Sequence, residues 1–294
     1  TDAALENDDF VCITAAMDIG TGLSNFKKKY PERLFDVGIA EGHAVTFGSG
    51  LCCKGILPVI ALYSTFSQRA YDNFIHDLLL QNLPFILCLD RGGLVGADGP
   101  THHGVLDIAM FITMPNIIIS APKDGDELRN LFNTALVSNK GFVIRYPKGN
   151  CVEFNENQPV KIINIGSWEI LKEGTGCAII AVGSMVEMVV KSYTRISDEI
   201  GYSPSVINAR FIKPIDEKLI NHIYKNFDQI ITIEEGSHIG GFGSFVLNNA
   251  NSASFEGKVK ILAINDKFVD QGSRSYLLKD CGLSVEKLIS EIKK

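Results

Sequence analysis

The stretch PFILCLDRGGLVGADGPTHHG, residues 84–104, joins a continuous apolar run to a loop rich in glycine. The run PFILCLD (84–90) is typical of a strand that is buried on both faces of a parallel sheet. Residues 90–104 then include five glycines, one proline, two aspartates and two histidines. Because ligands of open α/β sheets bind at the carboxyl ends of the strands, this loop is the first candidate for a functional site.

The same alternation of apolar runs and helical spacing extends along the chain in both directions. Further buried strands are predicted at 10–15, 57–62, 116–120 and 142–146, with helices near 41–54, 66–82 and 124–138. After a predicted polar linker at 147–159, strands near 177–183, 205–210, 229–235 and 260–264 alternate with helices near 184–200, 216–226, 241–252 and 284–293. The pattern predicts two α/β domains, residues 1–157 and 158–294, each a mostly parallel sheet with helices on both faces.

Composition narrows the function classes. The net charge of −6 argues against non-specific binding of nucleic acid. No apolar stretch reaches the ~18 residues of a membrane span, and no signal peptide opens the chain. The seven cysteines form no C-x-x-C pair, so we expect small buried hydrophobes in a reducing, cytoplasmic setting rather than a zinc site. Since the first residue is Thr1 rather than Met, we expect a processed or truncated piece.

Two segments ahead of the glycine-rich loop carry polar residues near predicted strand ends. In FDVGIAEGH, Glu41 begins a helical stretch. It is either a partly buried carboxyl that can hold a proton or a first-turn residue favoured by the helix dipole, and position alone favours the second interpretation. In YSTFSQRAYDNFIHD, Phe66 and Arg69 lie three residues apart on one helical face, close to Tyr63. They can clamp a flat heterocycle or a phosphate, or equally be a core aromatic beside a surface arginine.

The loop itself and the segment RYPKGN add charged candidates. Arg91 can bind a phosphate bidentately, and His102 or His103 can carry protons near neutral pH. Two histidines beside a glycine-rich loop at a strand end favour a functional role over a structural one. In RYPKGN, Arg145 and Lys148 can supply positive charge, although one of them can equally be ordinary surface charge.

The second domain contains one further glycine-rich segment, EEGSHIGGFGS (234–244). Glycines ahead of a helix can bind an anion through free backbone N–H groups. The segment matches neither the G-x-G-x-x-G fingerprint after a first strand nor a P-loop. We therefore interpret it as a structural turn.

Seven ordered segments together resemble the 1-deoxy-D-xylulose-5-phosphate synthase family. They are ITAAMDIGTGL, FDVGIAEGHAVTF, YSTFSQRAYD, DRGGLVGADGPTHHG, RYPKGN, NARFIKPID and ITIEEGSHIGGFGS, and they cover nearly the whole chain. The family has a first domain that binds a diphosphate and magnesium, a second that binds the aminopyrimidine of thiamine diphosphate, and a transketolase C-terminal domain. The resemblance implies that this chain corresponds to the second and third domains, without the first.

The family joins pyruvate, after decarboxylation, to D-glyceraldehyde 3-phosphate, and its product feeds isoprenoid, thiamine and pyridoxal phosphate synthesis. The resemblance thus implies a transferase of the transketolase type that uses thiamine diphosphate and Mg²⁺. Both would be anchored mainly by the absent domain, so we expect the chain alone to be inactive. Relatives are homodimers, which implies a homodimer here.

The resemblance also assigns residues to the cofactor. Glu41 would hydrogen-bond a pyrimidine ring nitrogen and so favour loss of the thiazolium proton, as a carboxyl in a dry pocket can. Phe66 would stack on the pyrimidine, Arg69 would lie beside it, and Ile39 would pack nearby. No residue of this chain is implied as a metal ligand.

A second set of residues is assigned to the substrates. Tyr63 and Arg91 would bind the phosphate of the acceptor, with Lys148 in the phosphate-binding segment. Asp98 and His102 would face the reacting substrate, and His102 would be the candidate for proton transfer.

Three positions depart from the residues that are common in the family. Gly42 stands where Gln is common, which removes a polar side chain next to Glu41. Lys148 stands where Arg is common; it keeps the charge but lacks the fork geometry, so we expect weaker phosphate binding. His103 also stands where Gln is common.

Two other interpretations remain. The chain can be a subunit of a split transketolase or of a pyruvate dehydrogenase β type, which share this two-domain layout, although YSTFSQRAYD and DRGGLVGADGPTHHG favour the synthase. A non-catalytic assembly module that has kept the fold belongs to another class. The sequence gives that module no support, because it retains the polar candidates Glu41, Arg69, Arg91, Asp98 and His102.

Overall fold

The computed structural model describes residue 3, residues 8–150, residues 154 and 155, and residues 157–294. Within these residues the strands are β1 Phe10–Thr14, β2 Leu34–Asp36, β3 Leu57–Tyr63, β4 Phe85–Asp90, β5 Ile117–Ser120, β6 Gly141–Arg145, β7 Glu169–Lys172, β8 Cys177–Ala181, β9 Ser205–Asn208, β10 Phe211–Lys213, β11 Gln229–Ser237 and β12 Lys258–Ile264.

The α-helices of the described residues are α1 Ser24–Lys29, α2 Glu41–Cys52, α3 Tyr71–Asn73, α4 Asp107–Ile112, α5 Gly125–Ser138, α6 Ser184–Lys191, α7 Tyr193–Ile200, α8 Glu217–Asn226, α9 Phe242–Ser252, α10 Arg274–Asp280 and α11 Val285–Ile292. A 3₁₀ turn, Pro31–Arg33, precedes β2. A 3₁₀ segment, Ser64–Ala70, and a π-helical segment, Phe74–Leu79, flank α3, so residues 64–79 form one helical stretch. No helix among the described residues is long and apolar enough to cross a membrane.

The first sheet has the strand order β10-β5-β6-β4-β3-β1-β2. Its six strands from the first half of the chain are parallel and largely buried, as continuous apolar sequences such as GFVIR of β6 require. β10 comes from the second half of the chain and pairs antiparallel with β5, with Phe211 opposite Ser120. The second half of the chain therefore completes one edge of the first sheet.

The second sheet has the order β12-β11-β8-β9-β7. Strands β12, β11, β8 and β9 are parallel, and β7 closes the edge antiparallel to β9. Helices separate most successive parallel strands, as crossover connections between parallel strands require. The predicted fold, two mostly parallel α/β sheets with helices, is confirmed.

Several local details differ from the sequence prediction. Strands β2, β7 and β10 were missed, because the short sequences LFD, EILK and FIK each contain a charged residue and no continuous apolar run of the length expected for a buried strand. The helix predicted near 184–200 is interrupted at Ser192 and forms α6 and α7. The predicted linker at 147–159 has no strand or helix in its described part, whereas residues 151–153 and 156 lie outside the described residues. The domain boundary after residue 157 stays a prediction.

The cysteines follow the prediction only in part. Cys12, Cys177 and Cys281 are buried, and burial raises the pKa of the Cys12 and Cys177 thiols to about 12. Cys53 is exposed, so its expected role as a buried hydrophobe is wrong; it directly follows the last residue of α2 and begins an exposed turn at 53–55. Cys151 lies outside the described residues. The cytoplasmic setting stays a prediction.

The two sheets share one apolar core. Phe142 of β6 meets the edge of Phe211 of β10, with ring centroids 6.2 Å apart, and Trp168 meets Phe242 of α9 at 5.8 Å. A second cluster contains the alternate residues of β8, such as Ile179, and therefore lies on the opposite face of the second sheet. Leu94 of the glycine-rich loop belongs to this second cluster.

Candidate active site

Glu41 is the first residue of α2, and its side chain is only 4% exposed. Nη1 of Arg69 donates a hydrogen bond of 2.7 Å to Oε1 of Glu41. Oε2 accepts no hydrogen bond from the part of the chain that the structure describes. Glu41 is therefore a first-turn acid favoured by the helix dipole and also a buried carboxyl with one oxygen unpaired, and its role in holding a proton stays a prediction.

Phe66 lies at the centre of a small aromatic group. Cζ of Arg69 is 4.7 Å from the centre of the Phe66 ring. The Tyr63 ring stacks on Phe66 with centroids 5.9 Å apart, and the His102 ring meets it edge-on at 5.3 Å. Because residues 64–70 form a 3₁₀ helix, side chains three apart align, which places Arg69 over Phe66. We call Glu41, Phe66 and Arg69 the ring face.

A group of charged side chains borders the ring face at Tyr63. Cζ of Arg91 is 4.1 Å from the centre of the Tyr63 ring, and Arg91 also pairs with the carboxylate of Asp98. Nζ of Lys148 donates a 2.7 Å hydrogen bond to Oδ2 of Asp98, which, with the charge of Arg91, lowers the pKa of Asp98. Two cations thus share the carboxylate of Asp98, and their N–H groups can also donate to an anionic ligand. We call Arg91, Asp98 and Lys148 the charged cluster.

Arg91 has two features that favour ligand binding. Its φ is +64°, in the left-handed region that residues other than glycine adopt rarely and mostly for a reason. Its Nε is buried and has no hydrogen-bond partner among the described residues. A buried guanidinium nitrogen without an acceptor, at the end of β4, can donate to a ligand oxygen.

The two histidines of the loop have different surroundings. His102 is half-buried, its ring touches Phe66, and its Nδ1 lies 2.9 Å from Oγ1 of Thr101. His103 is buried, and its Nδ1 accepts a 3.1 Å hydrogen bond from the backbone N–H of Val95. Its Nε2 lies 3.2 Å from the carbonyl oxygen of Asp270. Only His102 therefore lies beside the ring face.

Two positions near Glu41 need separate mention. Ile39 is 77% exposed, so its predicted packing against a cofactor stays a prediction. At Gly42, an added Cβ would lie 2.9 Å from Oδ1 of Asn73. Asn73, which donates to Thr46, thus fills space that a side chain at position 42 would need.

Behind the loop lies a buried ion pair that the sequence analysis missed. Nε of Arg145 donates to Oδ2 of Asp107 at 2.8 Å, and Oγ of Ser64 donates to the same oxygen at 2.8 Å. Nη2 of Arg145 donates to the carbonyl oxygen of Glu235 at 2.6 Å. Arg145 is 4% exposed and supports the loop from within. The sequence signal for this ion pair was an arginine at the end of an otherwise apolar strand, but its partner Asp107 is 38 residues away in the chain.

The structural turn predicted for EEGSHIGGFGS is confined to residues 238–241, because the first four residues of the segment end β11 and the last three begin α9. The carboxylate of Glu234 accepts hydrogen bonds from the backbone N–H groups of Phe242, at 3.0 Å, and Gly243, at 2.7 Å. These groups begin α9, so the protein's own side chain occupies the helix N-terminus. Burial raises the pKa of Glu234 to about 7.

Comparison with known families agrees with this geometry. A family model described as the transketolase pyrimidine-binding domain matches residues 1–152, and one described as the transketolase C-terminal domain matches residues 166–288. The chain belongs to the transketolase family. The predicted boundary after residue 157 falls between the two matched ranges.

Within this family the chain is similar to 1-deoxy-D-xylulose-5-phosphate synthases, as the sequence predicted. It is 46% identical to that of Clostridium perfringens over 283 residues, which are 96% of this chain and 46% of that protein. It is 47% identical to synthase 1 of Geobacter sulfurreducens over 95% of this chain and 44% of that protein. The chain thus spans about half the length of the curated relatives that it matches.

Solved structures show the same fold. A structure titled as a split-gene transketolase, an inactive β4 tetramer, has a TM-score of 0.86 at 26% identity and is similar over 99% of this chain and 93% of that one. The transketolase of Campylobacter jejuni has a TM-score of 0.76 at 18% identity, over 44% of its own length. The second likeness concerns the fold alone.

Thiamine diphosphate with Mg²⁺ is the cofactor that this family implies. The ring face fits the aminopyrimidine part, because it combines an aromatic ring with a buried carboxyl that has one unpaired oxygen. The described residues include no group of three or more His, Cys, Asp or Glu side chains that could hold a metal ion. The fit that the described residues show is therefore to the pyrimidine part of the cofactor.

Proposed function

We propose that the chain forms the pyrimidine-binding and acceptor-binding part of a transferase that makes 1-deoxy-D-xylulose 5-phosphate from pyruvate and D-glyceraldehyde 3-phosphate. The observation that carries the proposal is the contact of the ring face with the charged cluster through Tyr63. The ring face suits a flat nitrogen heterocycle, and the charged cluster suits a phosphate. The similarity to synthases of this reaction supports the choice of substrates.

On this proposal Glu41 holds or shares a proton with a ring nitrogen of the cofactor. Its Oε1 is held by Arg69, so Oε2 is the oxygen that meets the ring. Phe66 supports one face of the ring and excludes water from it. When bound, thiamine diphosphate supplies the nucleophilic carbon and the electron sink that carbon–carbon bond chemistry on a 2-oxo acid needs.

The charged cluster binds the acceptor, and His102 transfers a proton to it. Arg91 and Lys148 bind the phosphate of D-glyceraldehyde 3-phosphate, and the carboxylate of Asp98 keeps both cations in place. His102 lies against Phe66, close enough to the ring face to transfer a proton at the oxygen of the reacting aldehyde. Pyruvate occupies the same space before the acceptor enters.

The diphosphate and the metal are assigned to a separate diphosphate-binding domain, and the working unit is a homodimer. Calorimetric titration of the 294-residue chain with thiamine diphosphate and Mg²⁺ tests this division. We expect weak binding, because much of the cofactor's anchoring comes from its diphosphate and metal. Tight binding by the chain alone would contradict the division.

The activity itself is tested in a fusion enzyme. It joins the part of the Clostridium perfringens synthase that has no counterpart in this chain to the chain's own N-terminus. We expect it to form 1-deoxy-D-xylulose 5-phosphate from the two substrates, measured by mass spectrometry of the product. The positive control is the native Clostridium perfringens enzyme. A folded, cofactor-binding fusion enzyme that makes no product would overturn the proposal.

A second candidate is that the chain is one subunit of a split transketolase. It is favoured by the likeness to the split-gene transketolase structure over 93% of that chain. An adjacent reading frame that encodes a diphosphate-binding subunit, and transfer of a ketol group from a sugar phosphate by the two subunits together, would support this candidate. Product formation from pyruvate by the fusion enzyme would support the synthase instead.

A further inference from the structure

The glycine-rich loop is attached to the second half of the chain at several points. The side chain of Leu94 is fully buried in the apolar cluster of the second sheet, beside residues such as Ile179 and Ile233. The backbone N–H of Ser237 donates to the carbonyl oxygen of Val105 at 2.9 Å. Both ends of the loop segment 94–105 are therefore held by elements that follow the predicted linker.

The carboxylate of Glu235 is the central polar contact of this attachment. The side chain is 1% exposed. Its Oε1 accepts a 2.9 Å hydrogen bond from the backbone N–H of Leu94. Its Oε2 accepts a 2.8 Å hydrogen bond from Oγ of Ser184 and pairs with the guanidinium of Arg274. One oxygen thus holds the loop, and the other is fixed within the second half of the chain.

The loop approaches this carboxylate too closely for any side chain to intervene. Gly93 has a φ of +84°, and an added Cβ would lie 2.7 Å from Cδ of Glu235. His103 also holds the loop in place, because its Nδ1 accepts a hydrogen bond from the Val95 N–H and its Nε2 lies 3.2 Å from the Asp270 carbonyl oxygen. Glycine at 93 is therefore required by direct packing on Glu235.

We propose that Glu235 is a positioning residue that fixes the loop so that Asp98 and His102 face the acceptor. Asp98 is four residues after Leu94, and His102 directly precedes His103, which also holds the loop in place. Loss of the carboxylate would free the Leu94 N–H and let the loop open locally without unfolding either sheet. The inference rests on the proposed function for the roles of Asp98 and His102, and on the contacts of Glu235 for the rest.

The first test measures amide hydrogen exchange in the 294-residue chain. E235M keeps the side chain's length but removes both acceptors, whereas E235Q keeps an acceptor for the Leu94 N–H. We expect E235M to raise the exchange rate of Leu94 at least about tenfold, and E235Q to raise it far less. Amides of β8 and β11 should keep their protection. Unchanged exchange at Leu94 in E235M overturns the proposal.

A second pair of variants changes the loop instead of Glu235. It keeps the proposal testable if E235M misfolds. G93A places a methyl group against Glu235, whereas G99A, also at positive φ, meets only Gln271 at an ordinary 3.4 Å. We expect raised exchange at Leu94 in G93A and wild-type exchange at Leu94 in G99A. Equal exchange in the two variants overturns the proposal.

The kinetic test uses the fusion enzyme. We expect E235M to raise KM for D-glyceraldehyde 3-phosphate about tenfold and to lower kcat as well, because the loop carries both Asp98 and His102, and we expect E235Q to restore most of the loss. A purely structural role would lower the amount of active enzyme, and hence kcat, at unchanged KM. Raised exchange with unchanged KM overturns the positioning role. An inactive wild-type fusion enzyme counts against the proposed function, and the exchange results still decide the contact with Glu235.

Discussion

Glu41 and Arg69 lie 28 residues apart in the chain, yet Nη1 of the arginine donates a 2.7 Å hydrogen bond to Oε1 of the glutamate. The glutamate side chain is 4% exposed and the arginine side chain 53% exposed, so the pair lies at the boundary between the protein interior and the space for a ligand. One carboxylate oxygen is held and the other has no partner among the described residues. This asymmetry is what a residue needs if it is to meet a ring nitrogen in a fixed direction.

Removal of the Glu41 charge should stop the reaction. In the fusion enzyme we expect E41Q to lower kcat at least about 100-fold, because an amide cannot take up or share the proton that a carboxyl can. Product formation measured by mass spectrometry gives the rate. The matched control is E217Q, since Glu217 is also the first residue of a helix but is exposed. Activity of E41Q close to that of E217Q would contradict the role of Glu41.

Changes at Lys148 should affect binding of the phosphate more than turnover. We expect K148M to raise KM for D-glyceraldehyde 3-phosphate about tenfold, because a charge-assisted contact is lost. K148R should lower KM, since the guanidinium fork binds phosphate bidentately. Steady-state kinetics of the fusion enzyme measure both, with K54M, at an exposed lysine, as the control. A fall in kcat at constant KM would place Lys148 outside the phosphate site.

The two hydrogen bonds of His103 are ones that a glutamine side chain could also make. A glutamine side chain also offers one acceptor, for the Val95 N–H, and a donor, for the Asp270 carbonyl oxygen. We expect H103Q to change the free energy of unfolding by less than about 1 kcal/mol, and H103L to lower it by about 1–3 kcal/mol, because the buried N–H loses its partner. Urea denaturation measures both. Equal free energies of unfolding in the two variants would show that these hydrogen bonds do not contribute to stability.

Asp90 should make stability depend on pH. Burial raises its pKa from 3.8 to about 6. Between these values the folded state keeps a proton that the unfolded state has lost, so the free energy of unfolding falls as pH rises from about 4 to about 6 and is constant above. We expect D90N to match the wild type at pH 4 and to be more stable at pH 7.5, by about 1–2 kcal/mol given the partial exposure.

Denaturant titrations of the wild type and D90N at pH 4, 5, 6 and 7.5 measure this difference. D266N, at an exposed aspartate, is the control for the substitution itself. A difference between D90N and the wild type that does not grow with pH would rule out ionisation of a buried Asp90.

Some of the candidate site could be predicted from local sequence. Phe66 and Arg69 are three residues apart, and helical geometry alone brings such side chains together. Tyr63 ends a strand that its continuous apolar sequence predicts, and Asp98 and His102 follow the next strand of the sheet. These placements need only the period of the backbone and the rule that parallel strands end at one edge.

Other parts of the site could not be predicted. The ion pair of Arg145 and Asp107 joins positions 38 apart, and the sequence left Arg145 as a candidate ligand contact. The missed strand β10 has three residues, and it joins the first sheet only because β5 offers an unpaired edge. A segment of three residues is too short to show the apolar periodicity of a strand. Whether it forms a strand therefore depends on the sheet edge with which it pairs.

The sequence by itself determined the two α/β sheets, the positions of most of their strands along the chain and the family, because apolar periodicity and ordered motifs are local properties. Only the tertiary structure decided which charges meet: Lys148 with Asp98, 50 residues apart, and Glu235 with the Leu94 N–H, 141 residues apart. Such contacts join elements that the chain brings together only when both sheets have packed. Their geometry depends on residues of distant elements being packed against one another, which no local sequence pattern encodes.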